Sequence, residues 1–532
     1  MAAFARPNRI AAVAAAMSPS LRSKSKRFAH VWPCLVALLS FATACAAAET
    51  PSADNVYAEI RRDIDAEIAA GRLTGVSVAL VAHGRIVWEQ GFGWADREAG
   101  RKATAHTAFS IASTTKPLTT TAMMTLVADG KLDLDAPAND YLGIHKLRDD
   151  AGPAQAVTLR RLASHASGLP TFFIMYPERA TAQPPAVDAL VRDYGHLVAP
   201  AGERYEYSNL GMAIVADIVA RRSGQSFGDY LQTHVLTPLG MRDSFFDTDA
   251  TRRRDGATRY GDDGKPLPFY LTATPGSGEA YASAHDLARF AMLHLKDDLD
   301  TAGARILDAA RIDALHAPAT AIAPGYDYGM GWQIRARPGK PTVLYHGGGQ
   351  SGVAAEFVLV PDADVACVVL SNRRGDRAFF ERVRDRLLRT RMPDWDGIAP
   401  PSDPPSRPLS PLAAYQGTWR GTLLAQGREV PVVLDIASAS RATLSLGDGP
   451  ARPVAELGLV DGLLSGDSEG DIGSPDARRE GVTRIALNLK LRDGRIDGEI
   501  IAWRKTSSNM TMLPHWTVLR KAASDTIPAR VE

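Results

Sequence analysis

The stretch Tyr-His-Gly-Gly-Gly-Gln-Ser-Gly at residues 345–352 decides the fold, because glycines behind a histidine have three physical readings. A Gly-rich loop can aim backbone N–H groups at a developing negative charge. Glycines on an exposed strand edge let a substrate approach the main chain closely, and one N–H there can complete an oxyanion hole. A flexible turn with His346 solvated is the third. Each reading requires different partners elsewhere in the chain.

Around this stretch the pattern is that of a sheet. "TVLYHGGG" and then "AAEFVLVPDADVACVVLSN" (Ala354–Asn372) read as three strands, the last two joined across "PDAD" as a hairpin. Far upstream, Val76–Gly93 alternates apolar and polar residues around His83-Gly84, the pattern of a half-buried hairpin. "STTKPLTTTAMMTLVADGKL" (Ser113–Leu132) then switches to helical spacing. It sets Leu118, Ala122, Met123, Leu126 and Val127 on one side, with Gly130 as the stop. Residues 155–245 are mostly helical in pattern, as in Asn209–Gly224, which ends after Arg221 and Arg222. A sheet built from both ends of this region, with helices between, is an α+β plan.

Three groups of residues carry chemistry. Ser113 and Lys116 stand three apart on a helix and share a face, so a buried amine can take the hydroxyl proton. The helix N-terminus adds a favourable site for negative charge. Pro117 is tolerable in a first turn, whose N–H groups have no intrahelical acceptor. Ser-x-x-Lys alone is a weak signal, since 31 Ser and 12 Lys in 532 residues give about 0.7 matches by chance, and Ser23–Lys26 is a second match. On the motif alone, the plain N-cap is the favoured reading of Ser113. The second group, Tyr207-Ser208-Asn209, sets a phenolic proton carrier beside an amide. In the competing reading Asn209 caps the following helix and Tyr207 packs in the core. The third group is His346-Gly347-Gly348 with Gly349.

Ser113-x-x-Lys116, Tyr207-x-Asn209 and His346-x-Gly348, in this order, resemble the three active-site elements of the serine β-lactamase and penicillin-binding-protein superfamily. The Tyr-x-Asn form resembles the class C branch with its esterase, D-aminopeptidase and D,D-peptidase relatives. "GFGWADRE", "TLRRLASHASGLP", "PAGERYEYSNLG", "ASAHDLARF" and "YGMGW" add to the likeness over roughly residues 55–390. The resemblance implies a class C β-lactamase-like antiparallel sheet with flanking helices and an inserted helical subdomain. It implies Ser113 as acylated nucleophile, Lys116 as its base, and Tyr207 as proton shuttle, with Asn209 touching Lys116 and substrate. The N–H groups of Ser113 and Gly349 would form the oxyanion hole, with Gly348 and His346 at the substrate. Where β-lactamases of this kind carry Lys in the third element, this chain has His346, largely neutral near pH 7. Weaker anion anchoring follows, which favours ester or amide hydrolysis over dedicated β-lactam resistance.

A rival α/β-hydrolase reading rests on Gly466-Asp467-Ser468-Glu469-Gly470 with His515 downstream, but that pentapeptide falls in a polar loop and not between strand and helix. His165 in "SHASGLP" reads as a loop-fixing residue. Tyr326, Tyr328 and Trp332 read either as cleft lining or as core. Arg252–Arg254 reads as a solvated run. No His/Cys/Asp cluster has metal-ligand spacing, so no metal or other cofactor is expected.

The proline-rich stretch 393–411 reads as a stiff linker. After it, residues 412–522 show short strand patterns punctuated by Asp-Gly at Asp448, Asp461 and Asp493, an all-β barrel resembling the lipocalin-like appendages of some relatives. The catalytic domain is expected over 49–392. A net charge of +1 gives no hint of nucleic acid, and the expected partner is a small ester or peptide. The first 44 residues hold six Lys/Arg and no acid, and Val31–Ala46 is apolar, so residues 1–48 read as a secretory leader. Cys45 resembles a lipoprotein lipidation site, with Ala42 where Leu is usual; cleavage after Ala46–Ala48 without a lipid is the alternative. Cys367 alone stands outside the leader, so no internal disulfide is expected.

Overall fold

The expected hairpin forms as strands Gly75–Ala82 and Arg85–Asp96. His83 and Gly84 turn it at φ +52° and +66°, the left-handed pair that a two-residue turn demands. Val365–Ser371 runs antiparallel beside Gly75–Ala82, with Val78 opposite Val369. Val353–Val360 and Val343–Gln350 follow in antiparallel order. The sheet has nine strands among the described residues, three from before Ser113 and six from after residue 319. The computed structural model describes residues 56–178, 183–249, 251–297, 306–398, 412–506 and 510–522. The leader with Cys45 lies outside them.

Alternation along each strand sends neighbours to opposite cores. Ala79, Val81, Phe357, Leu359 and Val368 meet helices Thr115–Ala128 and Ala284–Leu295 on one face. Val78, Leu80, Val358, Cys367 and Val369 meet helices Ala58–Ala69 and Arg377–Arg389 on the other. Cys367 is fully buried there and burial pushes its thiol up, so it packs as an inert apolar residue.

Helix Thr115–Ala128 departs from the one-sided pattern expected of it, because every residue from Thr115 to Leu126 is buried. It runs between the sheet and a helical subdomain that includes Leu159–Ala163, Val187–Tyr194 and Asn209–Ser223. Threonine hydroxyls reconcile burial with polarity: Thr119 donates to Gly276 O at 2.8 Å and Thr120 to Met330 O at 3.1 Å. Gly130, at φ +69°, ends the passage. No helix among the described residues is long and apolar enough to cross a membrane.

Among the described residues the C-terminal unit is a nine-stranded antiparallel meander that curls into a nearly closed barrel around Leu423, Leu434, Leu444, Ile485, Ile500 and Leu513. Asp461-Gly462 and Asp493-Gly494 form left-handed hairpin turns, whereas near Asp448 the positive φ falls on Gly447. A short helix, Pro475–Glu480, sits in one connection of this all-β barrel, with Ser474 accepting from Ala477 N–H and Pro475 in its first turn. Residues 466–469 are not in a loop, as expected, but in strand Leu463–Glu469. Ser468 donates to Pro453 O, so the pentapeptide still lacks the strand-to-helix elbow of a hydrolase nucleophile. The barrel leans on the helical subdomain: Phe173 and Met512 exchange backbone hydrogen bonds of 3.1 and 2.7 Å, and Arg492 pairs with Glu203 at 2.8 Å.

The first residues of the stretch expected as a linker are packed against the catalytic unit. Trp395 and Ile398 are buried against the outer helical layer, and Trp395 Nε1–H donates to Asp385 at 2.9 Å. Residues 399–411 lie outside the described set. Arg252 and Arg253 also depart from a solvated run: Arg252 donates to Ser244 O and Arg242 O at 2.7 and 2.6 Å, and Arg253 pairs with Glu178. Trp395→Ala is expected to cost about 3–5 kcal/mol in urea unfolding, as for other large buried aromatics; a change within about 0.5 kcal/mol, typical of surface sites, would place residue 395 in a linker after all.

Candidate active site

Ser113 stands on a 3-10 turn, Ala112–Thr114, that runs directly into helix Thr115–Ala128. Ala112 before it has φ +44°, a strained conformation for a residue with a Cβ, held only where the surroundings over-determine it. Here Ile111 N–H donates to Ala280 O at 3.1 Å, and Thr115 Oγ1 donates to Ala112 O at 2.7 Å. Ser113 is not an N-cap; it remains half-buried at the surface of the cleft.

Lys116 follows one turn later and is fully buried. Its Nζ lies 3.1 Å from Ser113 Oγ, 3.0 Å from Asn209 Oδ1 and 2.7 Å from Ser277 O. Asn209 is free for this contact because Ser208 takes the N-cap, its Oγ accepting from Gly211 N–H at 2.9 Å. Tyr207 OH donates to Ser113 Oγ at 3.0 Å. Lys116 Nζ also lies 4.7 Å from the Tyr207 ring centroid. Asn209 therefore does not cap the helix, whereas Tyr207 is both packed in the core and bonded to Ser113.

Burial lowers the Lys116 pKa from 10.5 to about 7, against an opposing pull from Glu279. Burial also raises the Tyr207 pKa, so its hydroxyl keeps the proton it donates. A neutral Lys116 amine can donate its two hydrogens to Asn209 Oδ1 and Ser277 O, leaving its lone pair for the Ser113 hydroxyl. Ser113 then accepts from Tyr207 and donates to Lys116, which is the geometry of an activated nucleophile.

Ser277 and Glu279 had no signature in the sequence. The Ser277 contact is a backbone carbonyl, which any residue supplies. Glu279 clamps the turn that carries it: Gly278 N–H donates to its carboxylate at 2.8 Å, and Thr272 Oγ1 donates to it as well. Glu279 thus supports Ser277 and, when ionised, pulls the Lys116 pKa upward, while burial raises its own pKa.

The glycine stretch proves to be a strand edge. Strand Gln333–Arg335 pairs with Val343, Leu344 and Tyr345 only, so residues 346–350 are laddered to Val353–Phe357 on one side and open on the other. Gly348 abuts the nucleophile turn; a Cβ there would stand 2.0 Å from Ile111 O. Gly349, the next residue and on the other face of the strand, is half-buried. Thr114 Oγ1 donates to His346 O at 3.3 Å, tying strand to turn.

His346 itself corrects the expectation of a substrate contact. Its ring is fully buried, with Nε2 2.9 Å from Tyr328 OH and Nδ1 2.9 Å from Gly347 O. Burial holds its pKa well below the ordinary value, so it is a neutral structural imidazole. Tyr328 and Trp332 are likewise core, not cleft lining. His165 holds a left-handed loop position, φ +57°, and its Nδ1 accepts from Ser208 N–H at 3.2 Å. Its ring packs at a tilt against Tyr207, the centroids 4.3 Å apart, fixing the Tyr207 segment as a loop-fixing residue would.

A nucleophilic serine beside a desolvated lysine and a tyrosine, on an α/β sandwich with an open strand edge, defines a serine hydrolase of the β-lactamase type. The family model described as Beta-lactamase matches residues 60–390, and the chain belongs to that family. It is 29% identical over 379 residues to penicillin-binding protein 4 of Amycolatopsis lactamdurans, covering 67% of this chain and 96% of that protein. It is 28% identical over 338 residues to esterase EstB of Burkholderia gladioli, covering 56% and 84%. In fold it matches a class C β-lactamase with a TM-score of 0.55 at 19% identity, over 66% of this chain and 99% of that one.

Two substitutions test this geometry through hydrolysis of a p-nitrophenyl ester. Glu279→Gln removes a negative charge that favours the Lys116 ammonium. The neutral amine then persists to lower pH, and the acid limb of the kcat/KM profile moves down; an unmoved limb contradicts the assignment. Gly348→Ala forces the Ile111–Ser113 turn away from the strand and is expected to lower kcat/KM at least about tenfold, the order of loss when a catalytic group is misplaced by an ångström. Wild-type activity in that variant would show that the contact is not needed.

Proposed function

We propose that this protein is an exported hydrolase that transfers the acyl group of a small ester or peptide amide first to Ser113 and then to water. The observation that carries the reading is the pair of contacts on one oxygen, Lys116 Nζ at 3.1 Å and Tyr207 OH at 3.0 Å from Ser113 Oγ. Lys116 takes the hydroxyl proton as Oγ bonds to the substrate carbonyl carbon. The carbonyl oxygen gains the electron pair, facing N–H groups of Ser113 and Gly349. Collapse breaks the bond to the alcohol or amine, which leaves with a proton passed through Tyr207. Water repeats the sequence on the acyl-enzyme and regenerates Ser113.

The sealed His346 supports esters and amides over dedicated β-lactam hydrolysis, since its neutral ring supplies no cation for a substrate carboxylate. The likeness to an esterase agrees with that preference. The likeness to a penicillin-binding protein favours a second reading, in which a penicillin acylates Ser113 and turns over poorly. Export rests on the basic and apolar leader, with Cys45 either lipidated or removed.

Ser113→Ala is expected to abolish ester hydrolysis and labelling by a fluorophosphonate; retained turnover overturns the acyl-enzyme. Burst kinetics separate the two readings, continued turnover supporting the hydrolase and a single stoichiometric acylation the sensor.

A further inference from the structure

Glu89, His106 and His285 lie far apart in sequence, which is why local spacing gave no metal signal. Glu89 is on strand Arg85–Asp96, His106 on the loop before strand Phe109–Ser110, and His285 in the first turn of helix Ala284–Leu295. One ligand atom from each lies within 4.8 Å of the others. His285 Nδ1 is 2.9 Å from Glu89 Oε2, His106 Nε2 is 3.9 Å from Glu89 Oε1, and the imidazole centroids are 4.4 Å apart. Two donors on a tetrahedral zinc, each bonded at about 2.1 Å, stand roughly 3.4 Å apart. The observed 2.9 and 3.9 Å separations bracket that value, so small side-chain rotations suffice.

A fourth residue argues for more than paired charges. His106 Nδ1 faces Asp243 Oδ2 at 2.8 Å. An N–H donated there leaves the lone pair on Nε2, the nitrogen nearer Glu89. A carboxylate behind a histidine is how proteins commonly orient a metal-bound imidazole. Asp243 is held in turn, accepting from Ser283 Oγ at 3.4 Å. The cluster is half-exposed, open to an ion from solvent and to a water as fourth ligand.

We propose that Glu89, His106 and His285 bind a divalent transition-metal ion, zinc by ligand type, with Asp243 as the outer partner of His106. The ion ties together two segments that converge on the active site: the chain from His106 to Ser113, and the chain from Ser277 to His285. Its role is to brace those segments. Hydrolysis at Ser113 proceeds without it, so this site and the acyl-enzyme stand or fall separately.

Untagged full-length protein, stripped with a chelator, is titrated with Zn2+ by calorimetry and with Co2+ by visible absorption. Expected are one ion per chain at micromolar zinc, d–d bands of a low-coordinate Co2+ site, and a Tm that rises with zinc. His285→Ala and His106→Ala are each expected to remove the binding, and Asp243→Asn to weaken it roughly 10–100-fold. Ser113→Ala keeps it. Absence of binding at micromolar zinc, or binding that survives both histidine variants, overturns the proposal; circular dichroism of each variant shows that loss of binding is not loss of fold.

Discussion

Withholding water from the Lys116 amine is the constraint around which the catalytic unit is organised. An ammonium in bulk water would be useless as a base near neutrality. Lowering its pKa from 10.5 to about 7 corresponds to roughly 5 kcal/mol disfavouring the charged form. The fold bears that cost by surrounding helix Thr115–Ala128 on every side and giving the amine three polar partners at fixed positions, two acceptors and the Ser113 hydroxyl. The threonines that line this helix keep its environment polar enough to satisfy carbonyls but closed to solvent.

The same packing explains the third wall. Gly348 must lack a side chain because the strand presses on Ile111 O, and the turn so compressed holds Ala112 at positive φ and presents Ser113 to the cleft. His346 and Tyr328 satisfy each other behind this strand. The catalytic cluster thus consists of a proton relay backed by neutral aromatic and imidazole rings, with His165 packed against Tyr207 and Tyr328. The charge that a Lys would supply in the third element is absent from the sealed His346 ring.

Much of this was legible before the structure. Helical spacing sets Ser113 beside Lys116, and a two-residue separation before a helix sets Tyr207 near Asn209, but it is the resemblance of the ordered motifs that selects these residues over their structural readings. The open strand edge is one of three readings of the glycines, and the resemblance of the three ordered motifs selects it. What local pattern cannot carry is a contact made by a backbone carbonyl 161 residues away, as with Ser277 O, or a carboxylate whose work is to hold that carbonyl. His346 was misjudged for a related reason: strand alternation permits either face, and only the packing of Tyr328 decides that the ring turns inward. Trp395 was lost among prolines because composition overrode a single aromatic residue that the outer layer buries.

The central claim is that burial leaves Lys116 substantially populated as the neutral amine near pH 7. It is tested most directly by NMR titration of protein labelled at lysine Cε, with the Lys116 signal assigned through Lys116→Arg. The account predicts one lysine with a midpoint near 7, separated from the others. A Lys116 signal that titrates with the surface lysines, near the ordinary value of about 10.4, would contradict it.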